Sequence, residues 1–420
     1  MNKYPSICQN QLALMIAGSA LMFPYSFLPV LRTGPANQDA WIVMLCSIVF
    51  IIALNAPFLI LKNKFLNFDF VEMNEAILGK IGGKFVSLIY TFFAFSCYTA
   101  CMLIATMYTR IYLLAETPQW IVLLFVIIPA MYIATSGAGT IARLATFIEP
   151  YILLTIFVFC VVGINNMELF NILPILKDSK PMDIVEGAFF TAARFSEILI
   201  LVVFSIYLRR GHSLNKSYFR SLAVFGVSFF IIVISTILLL SSGVAKLMHA
   251  PFYVYSRQVG GEDLLQRLQV FNALAWIMGT ILKLSIYSYM ASFFLYKVTN
   301  FKSQKFFVYP LSLLAFVVNM LPFMQRSATL DLFKQDTTYP LFVLFIAFIV
   351  PLLLLIVYLI RQKSIKPIID QRNQAVADAE AKHDAAVQPK PGNAPKNSGQ
   401  NSNEANIPQA PPPGDSPQQA

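Results

Sequence analysis

The chain has 420 residues, of which 57% are hydrophobic and only 12% charged, and its formal net charge is +10. Soluble domains carry about twice that charged fraction, so a soluble globular fold is excluded and the chain reads as a polytopic membrane protein. The positive charge does not point to nucleic acid, because most Lys and Arg residues fall in short connections between apolar stretches, where they set topology.

Apolar windows bounded by charges or by Pro and Gly predict about ten membrane-spanning helices. They lie near residues 11–31, 40–61, 85–115, 118–135, 144–164, 185–207, 218–247, 271–298, 306–323 and 339–360. With the N-terminus cytoplasmic, nine Lys and Arg fall in outward connections and sixteen in inward ones, a bias that places both termini in the cytoplasm. The n-region holds only Lys3 as a charge, and no cleavable signal pattern is evident.

The first span reads ALMIAGSALMFPYSFLP and is interrupted by Gly18, Ser19 and Pro24. The sixth reads VEGAFFTAARFSEILILVVFSIY, with Gly187, Thr191, Arg194, Ser196 and Glu197 in its first half. Charges at membrane depth are costly and normally face protein or a water-filled cavity. Weak points in the first and sixth of ten spans match a 5+5 inverted-repeat transporter plan, in which broken helices 1 and 6 form the binding site near the midplane. Unwound backbone at Gly18, Ser19 and Ala20, and at Gly187, Ala188 and Phe189, would offer N–H groups to a carboxylate and carbonyls to an ammonium. Alternatively, these glycines only let helices pack closely.

Glu197 is either a proton or cation site, or an organiser of the cavity wall. Arg194, three residues earlier, shares its helix face and could pair with it. Lys283 sits about a dozen residues into span eight, too deep to snorkel, and Glu197 is its candidate partner. The alternative is an ammonium that replaces a sodium ion between broken helix one and span eight. Span eight also carries a polar stripe at Ser285, Ser288, Tyr289 and Ser292, which lines a cavity or glues helices. Tyr98 in span three could close over a small ligand or simply pack.

The connection from about 248 to 269 mixes aromatics with charge, as in an interfacial helix, a partner surface or a cap over the site. Residues 1–363 are read as a ten-helix permease-like domain. Residues 364–420 form a cytoplasmic polar tail with a possible short exposed helix, Pro-, Gln- and Asn-rich from Gln388 and expected to be disordered. Cys97 and Cys101 have the spacing of packing residues rather than metal ligands. The three histidines have no catalytic constellation around them and no phosphate-binding loop is present, so no enzyme activity, cofactor or metal is expected.

Several stretches together resemble the B subunit of spore germinant receptors, the endospore germination permease family. They are SICQNQLALMIAGSALMFP near the start, DAW at 39–41, LGKIGGK at 78–84, ETPQW at 116–120, SGAGTIAR at 136–143, LPIL at 173–176, and EGAFF followed by SEILIL in span six. The resemblance implies the amino acid–polyamine–organocation transporter fold and residence in the inner membrane of bacterial endospores. It also implies sensing of a small nutrient, an amino acid by analogy, together with A and C receptor subunits. On that basis the family's span-six Glu corresponds to Glu197, and the ligand pocket to the breaks at Gly18 and Gly187 with spans three and eight. A proton- or cation-coupled amino-acid transporter is the alternative reading, and an ion or water conduit within a receptor is a third.

Overall fold

The computed structural model describes residues 7–26, 28–32, 37–195, 197–209, 211–259, 269–321 and 338–387. Nearly all of them are helical. Apolar runs longer than about 18 residues leave no other way to satisfy the backbone in a bilayer. The helices of the membrane region are α1 (Gln9–Ser26), α2 (Pro29–Arg32), α3 (Ala40–Lys64), α4 (Phe70–Tyr108), α5 (Gln119–Ser136), α6 (Ala138–Gly163), α7 (Pro181–Arg194) and α8 (Ile198–Phe204). They continue with α9 (Leu214–Leu247), α10 (Pro251–Gln258), α11 (Gln269–Thr299), α12 (Lys305–Met320), α13 (Thr338–Leu344) and α14 (Val350–Ile360). A final helix, α15 (Gln362–Val387), follows.

Among the described residues, eight helical segments are long and apolar enough to cross a membrane. The other two predicted spans correspond to α1 and to the shorter α12. The last span, Tyr339–Ile360, runs through a π-helical turn at Phe345–Ile349. The chain divides into two compact units at Asn373 and Gln374. Of the second unit only the helical residues up to Val387 are described, so the predicted disordered tail from Gln388 lies outside the described residues.

Local chemistry sets the ends. Asp69 caps α4 through a reciprocal box with Glu72: Glu72 N–H donates to Asp69 (2.9 Å) and Asp69 N–H to Glu72 (3.2 Å). Pro181 opens α7 at its first turn, where its missing N–H costs nothing. Gly137, at φ +95°, makes the reversal between α5 and α6. The LGKIGGK stretch at 78–84 acts through its backbone as well. Gly79, at φ +82°, interrupts α4, and the chain folds back so closely that a Cβ on Gly83 would lie 2.4 Å from the Glu75 nitrogen.

The interior of the first unit is organised by α11, which packs against α1, α4, α5, α6 and α12, while α1 also packs on α6 and α9 and α3 on α7 and α9. Thus α1 and α11 run side by side through the middle, and the break between α7 and α8 lies beside both.

Candidate functional site

The polar centre of the bundle is built where span six breaks. α7 ends at Arg194, Phe195 and Glu197 leave helical geometry, and α8 resumes at Ile198. Glu197 is 6% exposed and Lys283, on α11, 3%. Their Oε1 and Nζ atoms form a salt bridge of 2.8 Å. Ser19 Oγ donates to Glu197 Oε2 (3.1 Å) and Tyr287 OH donates to the same oxygen (3.0 Å). Lys283 Nζ also donates to the Ser19 carbonyl (2.8 Å) and lies 4.2 Å from the centroid of the Phe23 ring.

An ion pair can be held away from water only if further hydrogen bonds take up the remaining lone pairs and protons, and here both partners have them. Three helices, α1, α11 and the α7–α8 break, are thereby tied at one point. Removing the Tyr287 hydroxyl should weaken this arrangement without breaking the ion pair. Tyr287→Phe is expected to cost about 1.5–3 kcal/mol, the value of a hydrogen bond to a charged group, read from thermal unfolding of the purified protein. A loss smaller than about 0.5 kcal/mol would remove Tyr287 from the cluster.

The pair also acts as a partition. Lys283 lines one cavity with Met22, Phe23, Cys101, Ile104 and Thr280, of about 20 Å³. Glu197 lines another of about 20 Å³, with Ala17, Ala20, Asn55, Phe195 and Tyr218 among its walls. Each has room for about one water, far less than the roughly 300 Å³ of a small ligand pocket. Beyond the cavities, described residues make contacts across the bundle at two places. At one end Ile7 pairs with the segment after α8, its N–H donating to Tyr207 O (2.7 Å) and its carbonyl accepting from Arg209 N–H (2.8 Å). Tyr207 and Tyr289 join there through their hydroxyls (2.7 Å). At the other end α10 caps the bundle: Tyr253 OH donates to Tyr112 O (3.3 Å), Tyr255 OH to Phe159 O (2.9 Å), and Phe252 packs on Tyr25. Burial pushes the Tyr253 and Tyr255 hydroxyls up from their ordinary range, so both remain neutral donors. Of the three readings open for this connection, the contacts of α10 fit the cap; residues 260–268 of the connection lie outside the described residues.

The residues singled out from sequence separate into two groups. Ser19, Glu197 and Lys283 meet in the central cluster, and Ala20 lines the cavity beside it. The others are elsewhere. The sequence places the breaks at Gly18–Ala20 and Gly187–Phe189, and here the structure corrects it. Both stretches are continuous α-helix, so neither frees backbone groups for a ligand. In span six the interruption comes at Phe195–Glu197. In span one α1 runs to Ser26 and α2 begins at Pro29, with Phe27 outside the described residues. The glycines instead serve close packing: a Cβ on Gly187 would meet Val43 of α3 at 3.1 Å, and one on Gly18 would lie 2.4 Å from Glu149 Oε2 on α6. Ala188 is buried, and Phe189 stands edge-on to Phe50 of α3.

Tyr98 OH is paired with Ser312 of α12 (3.1 Å) rather than closing over the site. Ser285 donates to the Ile281 carbonyl within α11 (2.7 Å), and the Tyr289 hydroxyl joins that of Tyr207. Arg194 is buried in the last turn of α7, where its charge suits the helix C-terminus. It does not take the expected place on Glu197, because the helix ends between them and the i, i+3 face is lost. Ser196 lies outside the described residues. Sequence reasoning passed over Tyr287 and Phe23. Tyr287 carried a signal, since it lies four residues after Lys283 on one helix face; Phe23 carried none beyond its helix.

A family model described as "Spore germination protein" matches residues 6–328. No curated protein matches the sequence. Among solved structures, MhsT in complex with L-phenylalanine is similar over 85% of this chain and 99% of its own, with 12% identity and a TM-score of 0.59. A substrate-bound, outward-open Na+-coupled sialic acid symporter is similar over 80% of this chain and 77% of its own, with 11% identity and a TM-score of 0.54. At such identities the likeness is one of fold, the all-α membrane transporter architecture with interrupted helices 1 and 6.

Proposed function

The chain belongs to the spore germination protein family, and from that premise we propose that it is the nutrient-sensing subunit of a spore germinant receptor. It binds a small zwitterion, an amino acid, at the Glu197–Lys283 cluster and passes the signal to receptor A and C subunits in the inner membrane of the endospore. The observation that carries this reading is the cluster itself. One fixed negative and one fixed positive charge stand 2.8 Å apart at a helix break, with nothing between them. A zwitterion offers each a new partner of opposite sign, its carboxylate to Lys283 and its ammonium to Glu197, so inserting it strands neither charge. A neutral sugar cannot do this.

The cavities on either side are too small for such a ligand, so binding must select conformers in which α1 or the break has moved. A ligand that favours those conformers shifts their population, which is what a sensor requires. The fold by itself does not separate sensing from transport. The second reading, an amino-acid transporter coupled to protons or cations, is favoured by the fold of the sialic acid symporter. Spores lacking this chain, tested against a panel of single nutrients, are expected to lose the response to zwitterionic amino acids and keep the others. An unchanged response to every amino acid would overturn the sensor reading. Robust amino-acid counterflow by the purified chain in proteoliposomes would replace it with transport.

A further inference from the structure

Outside the central cluster lies a further buried charge-bearing group. Glu149 on α6 is fully buried, and neither carboxylate oxygen has a hydrogen-bond partner. It points at α1: its Oε2 occupies the space that a side chain on Gly18 would need, with the Leu282 methyl beside it. The charged groups on the helices packed against α6 are Lys283 and Lys297 on α11 and Lys216, Arg220 and Lys246 on α9; α1 and α5 have none. Tyrosines on the same helices include Tyr25 on α1, Tyr132 on α5, Tyr218 on α9 and Tyr287 on α11. None of these groups hydrogen-bonds to Glu149, and Lys283 is committed to Glu197 and Ser19.

We propose that Glu149 is a proton-binding site, which holds its proton while α1 lies against it at Gly18 and releases it when α1 moves away. An ionised carboxylate with no partner in a dry interior costs far more than a neutral acid. A sodium ion would need several oxygens around it, whereas the neighbours at Gly18 are a glycine backbone and a leucine methyl. The proton needs no such cage. The coupling follows from position. Gly18 and Ser19 are adjacent, and on a helix adjacent residues face about 100° apart. One side of α1 therefore covers Glu149 while the next holds Glu197 and Lys283. A movement of α1 that opens the ligand cluster also uncovers Glu149 to water. Pro150 directly follows Glu149 and removes one rung of the α6 backbone ladder, which leaves α6 able to bend at this point. The inference stands whether the chain senses or transports, since it concerns the state of α1 alone.

Infrared spectroscopy of the purified chain in lipid nanodiscs tests it. At about pH 7, above the ordinary carboxylate range, the wild type should show the carbonyl stretch of a protonated carboxylic acid. Glu149→Gln should abolish that band, Glu149→Asp should shift it, and Glu197→Gln should leave it in place. Hydrogen exchange of the α1 peptide, corrected for intrinsic rate, should rise with alkalinity in the wild type and stay level in Glu149→Gln. The sign follows from the neutral acid: removing its proton leaves an unpartnered buried charge that only the displaced α1 relieves. A spectrum without the band, a band that follows Glu197 instead, or a band lost when sodium replaces choline at constant pH would each overturn the proposal. So would α1 exchange with the same pH dependence in both proteins.

Discussion

Lys283→Met is expected to destabilise the folded chain by about 3–5 kcal/mol, the cost of removing one partner from a buried ion pair. The same substitution should abolish the nutrient response. The loss comes less from the vanished attraction than from what remains: Glu197 would stay 6% exposed, charged, and held only by the Ser19 and Tyr287 hydroxyls. The Ser19 carbonyl and the Phe23 ring would lose their cation together. The double substitution Glu197→Gln with Lys283→Met removes both charges and should recover most of the stability, because replacing a whole buried pair is often neutral. It should not recover the nutrient response, since no charge is left to receive a zwitterion. A thermal-unfolding double-mutant cycle with spore germination assays reads both quantities. Additive costs in the cycle would mean that the two charges do not support each other, and normal germination by the double variant would remove them from the ligand site.

Gly83→Ala is expected to be nearly as damaging for a purely steric reason. Its Cβ would sit 2.4 Å from the Glu75 nitrogen and 2.6 Å from the Asn74 carbonyl carbon. Both are backbone atoms of the segment folded back at Gly79, and no rotamer change can move them. Overpacking of this kind costs about 1–3 kcal/mol where side chains can yield, so a loss of at least about 3 kcal/mol is expected where they cannot. Gly243→Ala on α9 is the matched control, because a Cβ there meets nothing within 4 Å. It should be neutral, or stabilising by up to about 1 kcal/mol through helix propensity. Equal melting temperatures for the two variants would show that the α4 fold-back yields more easily than its contacts indicate.

The Glu197–Lys283 pair was legible in the sequence because hydrocarbon leaves a charge few options. Charges deep in apolar spans require partners: Glu197 was the candidate for Lys283, while Arg194 also stood as a candidate for Glu197. The existence and order of the spans were legible for the same reason, but not all their limits: α4 begins at Phe70 and α6 at Ala138, ahead of the predicted starts near 85 and 144. Gly18 and Gly187 misled because glycine has two uses in membrane helices. It can unwind a helix or let two helices touch, and only the neighbours at Val43 and Glu149 show that packing is its use here. Glu149 falls at the start of the span predicted from residue 144; the earlier start of α6, at Ala138, carries it inward.

By itself, then, the sequence determined the membrane architecture and marked Glu197 and Lys283 as charges in need of partners, because both follow from the cost of placing polar groups in an apolar medium; the family resemblance rested on particular stretches of residues. The tertiary structure decided where span six opens. The stretch RFSEI contains neither glycine nor proline, and nothing local breaks a helix there. Phe195 is held among Phe23, Phe225 and Phe229, and Glu197 is drawn to Lys283, 86 residues away. A break maintained by long-range contacts leaves no local mark in the sequence, and it is at this break that the Glu197–Lys283 pair is assembled.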